Sequence, residues 1–129
     1  MKKRLKKRLL SNYELNVLLP ILMKGLEMKK SKSSAVTTNQ IIRAIRKHGL
    51  KINGRSVFML INHIRTNDLI VGLMGTSTGY YVTNNEQELI NYEDRLLGRE
   101  AAIRNVRMSI QRQRRTMQSH SSQKQTQIF

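Results

Sequence analysis

Residues 37–70 read TTNQIIRAIRKHGLKINGRSVFMLINHIRTNDLI, and this stretch holds two helical periods joined by a short glycine-containing turn. Thr37 followed three residues later by Gln40 has the spacing of a capping box, in which each side chain satisfies the other's free backbone N–H. A helix is therefore expected from about Thr38 to His48, with Ile41, Ala44 and Ile45 as its buried stripe and Arg43, Arg46 and Lys47 turned elsewhere. Gly49 stands where a left-handed residue closes such a helix. Leu50-Lys51-Ile52 forms the turn, and Ile52 is apolar enough to plug between two helices. Asn53 is a good N-cap for the next helix, expected to run to about Asn67. At 100° per residue, Val57, Leu60, Ile61 and Ile64 share one side of it. The opposite side carries Arg55, Met59, Asn62 and Thr66, flanked by Phe58 and His63. That face mixes donors, acceptors and small apolar groups, unlike the Glu/Lys mixture of a face that only meets water.

On the N-terminal side, Asn16 to Lys30 reads as a first helix, with Val17, Leu18, Ile21, Leu22 and Met28 near helical spacing. Pro20 is tolerated if the helix starts just before it, because the first turn has unpaired N–H groups in any case. Ser31 to Ser34 (SKSS) reads as a loop. On the C-terminal side, Leu69 to Met74 and Tyr80 to Thr83 are short β-prone runs around the turn residues Gly75 to Gly79. They predict a hairpin too small to stand alone, which must pack on the helices.

A long fourth helix is expected from Asn85, where Glu88 completes a cap signal and the acids Glu86 and Glu88 suit the positive helix start. An apolar residue then recurs every seven positions: Leu89, Leu96, Ile103, Ile110 and Met117. Tyr92 and Val106 fill two intervening offsets, while Arg99 and Gln113 occupy the other two, so the heptad is imperfect. Leu89, Leu96, Ile103, Val106, Ile110 and Met117 are the candidate dimerisation residues, because the later ones lie beyond any single-domain core. Residues 118–129 are polar and low in complexity, and are expected to be disordered.

The expected fold class is mainly α with a small β-hairpin. It divides into a basic arm (1–10), a helix–helix–helix–hairpin domain (11–84), a long C-terminal helix (85–117) and a polar tail (118–129). The stretch quoted above, followed by GTSTGYYVT, resembles the winged helix-turn-helix domains of small DNA-binding proteins carried by phages and mobile elements. Its most specific pieces are Asn62-His63-Ile64-Arg65 running into Leu69-Ile70, and the small-residue turn before Gly79-Tyr80-Tyr81. The resemblance implies sequence-specific duplex binding, with the helix from Asn53 lying in a major groove. Candidate base-reading residues are then Arg55, Met59, Asn62, His63 and Thr66, of which Arg55 suits guanine and Asn62 adenine. Many winged helices carry Arg or Lys at the wing tip; here Gly75 to Gly79 has no charge, and Thr76, Ser77 and Thr78 offer only hydroxyls and backbone N–H groups to phosphate.

Charge agrees with a polyanionic partner. Twenty-four Lys+Arg against eight Asp+Glu leave a formal net charge of +16 over 129 residues. Both ends are strongly basic and the centre is nearly ordinary. Candidate backbone contacts are therefore Lys2, Lys3, Arg4, Lys6, Lys7 and Arg8 in the arm, and Arg43, Arg46, Lys47, Lys51 and Arg65 in the domain. The absence of Cys excludes disulfides, thiolate zinc sites and a cysteine nucleophile. The absence of Trp and the six Phe+Tyr argue against a stacking platform for single strands. His48, His63 and His120 are too widely spaced for a local metal motif, and no Gly-rich phosphate loop or catalytic constellation is present, so neither a metal, a cofactor nor an enzyme activity is expected. The longest apolar run, Val17 to Met23, is too short to span a bilayer, and the N-terminus lacks the apolar core of a signal peptide.

Together these features predict a sequence-specific double-stranded DNA-binding protein in a bacterial cytoplasm, associated with the nucleoid. A transcriptional regulator or replication accessory, homodimeric through the last helix, fits them best. The competing expectations are a sequence-indifferent nucleic-acid-condensing or virion-associated protein, and a winged-helix module that binds an acidic protein partner.

Overall fold

The computed structural model describes residues 9–119, and the chain divides into two units, Met1–Leu89 and Ile90–Phe129. The expected basic-arm contacts Lys2, Lys3, Arg4, Lys6, Lys7 and Arg8 lie outside the described residues, as does the expected disorder of residues 120–129.

The first unit opens with a reciprocal cap between Ser11 and Glu14. The Ser11 N–H donates to Glu14 Oε1 at 2.8 Å, and the Glu14 N–H donates to Ser11 Oγ at 3.1 Å. Helical winding therefore begins several residues before the expected Asn16. Glu14–Leu18 is wound as a π-helix, and α1 (Leu19–Glu27) follows directly. The wide turn stands just ahead of Pro20, whose missing N–H and bulky ring break the regular ladder at that point. The expected end at Lys30 is corrected to Glu27, and a 3₁₀ turn, Lys32–Ser34, occupies the serine-rich loop.

The capping box of α2 (Thr38–Lys47) is present in both directions: the Gln40 N–H donates to Thr37 Oγ1 at 3.2 Å, and the Thr37 N–H donates to Gln40 Oε1 at 2.8 Å. Ile41 and Ile45 are buried as expected, but Ala44 is exposed, and Ile42 packs against the core instead. Gly49 takes the left-handed conformation, with φ +79°. Ile52 is buried. In α3 (Gly54–Thr66), Asn53 Oδ1 accepts from the Ser56 N–H at 2.8 Å. Val57, Leu60, Ile61 and Ile64 are buried against Leu18, Leu22 and Leu26 of the first helical segment and Ile41 and Ile45 of α2.

The hairpin is shorter than expected. β1 (Leu73–Thr76) pairs antiparallel with β2 (Gly79–Val82), from Leu73 opposite Val82 to Thr76 opposite Gly79, with Ser77 and Thr78 as the turn. Leu69 to Gly72, expected as strand, instead closes α3 and reverses the chain. Asp68 has φ +55°, the Leu69 N–H donates to the Ile64 carbonyl at 3.0 Å, and Gly72 has φ +90°. Ile70 of this turn still reaches the core, whereas Val71 is exposed. Val36, just before α2, pairs with the opposite side of β2: its N–H donates to the Tyr80 carbonyl at 2.9 Å and its carbonyl accepts from the Tyr80 N–H at 2.8 Å. The hairpin is thereby tied to the start of α2.

The fourth helix, α4, runs over Glu86–Ser119, two residues past the expected end. None of its residues is fully buried. The second unit is its portion from Ile90 onward. The observed order of three helices, a hairpin and a long C-terminal helix is the mainly α class read from the sequence.

Candidate nucleic-acid interface

Four apolar residues at a helical period anchor one side of α3, so the opposite side is fixed outward. Arg55, Asn62 and Thr66 are exposed there, and Met59 and His63 are half-buried. The Thr66 hydroxyl donates back to the Asn62 carbonyl at 2.8 Å, and Asn67 Nδ2 lies 3.3 Å from His63 Nδ1. Thr66 and His63 are thus already engaged along their own helix. Phe58, on the edge of this face, is 68% exposed, an unusual position for a large aromatic side chain in a small domain.

The cations of the domain divide into two groups. Arg43, Lys47 and Lys51 are exposed. Arg46 is exposed too, but its Nε donates to the Ile52 carbonyl at 3.1 Å, so it also pins the turn between α2 and α3. Arg65 is half-buried, and its guanidinium lies so close over Gly75 of β1 that any side chain there would collide with it. Arg65, expected from the sequence to contact phosphate, has its guanidinium packed on the hairpin. The periodicity of α3 gives no sign of this, because the contact is made across ten residues.

The hairpin turn is also more self-contained than its composition suggests. The Thr76 hydroxyl donates to the Gly79 carbonyl at 3.1 Å and accepts from the Thr78 N–H at 3.3 Å, with Thr78 Oγ1 at 2.8 Å. Thr76 and Thr78 thus hold the turn's shape with the groups expected to face phosphate. Ser77 between them is exposed.

Clefts add features that the periodicity of the helices does not predict. A polar one of about 370 Å³ lies beside the start of α3, where Arg46, Lys51, Asn53 and Ser56 meet Tyr13 and the buried Glu14. The Tyr13 hydroxyl donates to the Lys51 carbonyl at 2.7 Å, which fastens the first helical segment to the α2–α3 turn. An apolar groove of about 710 Å³ runs between α1 and α2 and is lined by Ile21, Gly25, Met28, Ala44 and His48 among others. Exposed Ala44 is one wall of this groove, which explains why its helical position did not lead to burial.

Glu88 has a different task from the one its spacing suggested. The Asn85 side chain does cap α4, accepting from the Gln87 N–H at 2.9 Å. The Glu88 carboxylate instead accepts from the Tyr81 hydroxyl at 2.6 Å and the Thr83 hydroxyl at 2.7 Å, joining the first turn of α4 to the end of the hairpin. The Tyr81 bond first, then the Thr83 bond, hold its pKa below the ordinary glutamate value.

In the second unit, Leu96, Ile103, Val106, Ile110 and Met117 are all exposed, and in the first unit Leu89 is half-buried. Among the described residues, no group of three or more His, Cys, Asp or Glu is arranged to hold a metal ion, and no helix is long and apolar enough to cross a membrane. Comparison of the chain with protein-family models, with curated proteins and with solved structures returns no match.

Proposed function

We propose that this chain is a sequence-specific double-stranded DNA-binding protein of the winged helix-turn-helix type, serving a phage or mobile element as transcriptional regulator or replication accessory. The observation that carries the reading is α3. Its apolar side is buried to the last residue, so Arg55, Asn62 and their neighbours stand outward on a rigid helix braced by α2. That is the arrangement by which a helix reads base edges in a major groove. Arg55 takes guanine and Asn62 adenine, each good bidentate pair contributing about 1–3 kcal/mol of discrimination. Arg43, Lys47 and Lys51, with the N-terminal cations, neutralise phosphates. The exposed stripe of α4 pairs two copies, which doubles the cationic footprint on two half-sites.

The test begins with selection of bound sequences from a random duplex pool, followed by titration of the enriched site at several salt concentrations. Neutralisation of about eight phosphates gives a slope of log K against log salt of roughly −7. Arg55→Ala should relax sequence preference, while Lys6→Ala should weaken all duplexes alike. A flat salt response, or no enrichment from the pool, would reject the reading.

The uncharged hairpin turn and the five arginines between Arg104 and Arg115 favour a second reading, in which the protein coats nucleic acid without regard to sequence. Competition separates the two. Binding to a selected site survives a large excess of random duplex only if α3 reads bases.

A further inference from the structure

The fourth helix, α4, carries a charge pattern that the heptad alone does not reveal. From Glu86 to Glu100 the helix holds five acids and two arginines; from Ala101 to Ser119 it holds five arginines and no acid. Its apolar stripe, centred on Ile103 and Val106, is exposed. Acid in one half and base in the other make the helix complementary to a reversed copy of itself.

We propose that the occupant of this stripe is α4 of a second copy lying antiparallel, with Ile103 of each helix against Val106 of the other. This rests on the dimer reading above and adds the orientation. Antiparallel heptads pack each first core position against a fourth core position of the other helix. The layers that follow are Tyr92 on Met117, Leu96 on Gln113, Arg99 on Ile110 and Ile103 on Val106, each occurring twice. Arg99 then meets an aliphatic side chain, along which its stem can lie while the guanidinium reaches water. Gln113 meets Leu96 in the same way.

Beside the seam the same alignment sets Glu93 opposite Arg114 and Glu100 opposite Arg107. All four are exposed. Glu100 already lies 3.8 Å from Arg104 of its own helix, an exposed contact weak enough to yield. In a parallel pair Arg99 would face Arg99 inside the seam, Glu88 would face Glu93, and the two arginine-rich halves would lie side by side; against these like-charge contacts stands a single attraction, Arg95 opposite Glu100.

The full chain lacks cysteine, so single cysteines report orientation cleanly. Tyr92→Cys and Met117→Cys variants would be oxidised separately and as an equilibrated mixture, with sedimentation run alongside. In the antiparallel pair the two copies of position 92 lie about 37 Å apart at 1.5 Å per residue, so neither variant cross-links alone but the mixture does. Glu93→Arg should loosen the dimer several-fold, and Glu93→Arg combined with Arg114→Glu should restore it. Cross-linking of each variant with itself would overturn the orientation while leaving the dimer intact. A dimer that cross-links in neither arrangement would overturn the alignment. Sedimentation as a monomer at tens of micromolar would overturn the dimer reading and this inference with it.

Discussion

Replacing Gly79 with Ala should destabilise the first unit by about 3 kcal/mol. Gly79 has φ +121°, a conformation that L side chains rarely adopt, and holding alanine there costs of order 1–3 kcal/mol. A methyl group at this position would also run into the Val36 carbonyl and come within 2.9 Å of the Thr37 N. Val36 can retreat only by giving up its two bonds to Tyr80, worth roughly 0.5–1.5 kcal/mol each. The smaller entropy of the unfolded alanine chain offsets about 0.4–1 kcal/mol of this. Two of the four tyrosines, Tyr80 and Tyr81, sit in β2 and there is no Trp, so tyrosine fluorescence in a urea titration reports the hairpin directly. With an m-value of about 1.5–2 kcal/mol/M, the midpoint should fall by roughly 1.5–2 M. Gly25→Ala serves as the opposite case. A Cβ there meets nothing within 4 Å on a helix, and the change should add about 0.5–1 kcal/mol. A Gly79→Ala midpoint within about 0.3 M of the parent would refute the reasoning, because it would mean that the edge of β2 moves freely past Val36.

Leu60→Ala removes a side chain with no exposed surface from the centre of the core, and should cost about 2–5 kcal/mol in the same titration. Thr37→Ala should cost about 1 kcal/mol and speed amide exchange in the first turn of α2, since it leaves the Gln40 N–H without its acceptor. Glu88 has a folded pKa below its unfolded value, so its contribution to stability is complete above the unfolded value of about 4.3 and is lost as pH falls through the folded one. The stability gap between the parent and Glu88→Gln, measured from pH 7 downward, should therefore narrow only in the acid range. A gap that stayed constant to pH 3 would show that the charge is irrelevant to the clamp on Tyr81 and Thr83.

How far the sequence could be read depended on the reach of each interaction. The box of Thr37 and Gln40, the Asn53 cap, the left-handed Gly49 and the buried stripe of α3 all act within about four residues, where helical geometry is fixed by the chain itself. The outward face with Arg55 and Asn62 followed from that stripe, because the period that buries one side of a helix exposes the other. The Ser11–Glu14 box has the same short reach and the same signature, and could have been read. Tertiary structure decided the rest. Arg65 became a cover for Gly75, Val36 became a partner for Tyr80, and Glu88 turned from its own helix to the hairpin's hydroxyls. The strand expected from Leu69 began only at Leu73, because reversing the chain after α3 consumed the residues between. A β-prone composition records what a segment tolerates as strand. Where the strand starts depends on the distant backbone it must meet, and only the packed helices place that backbone.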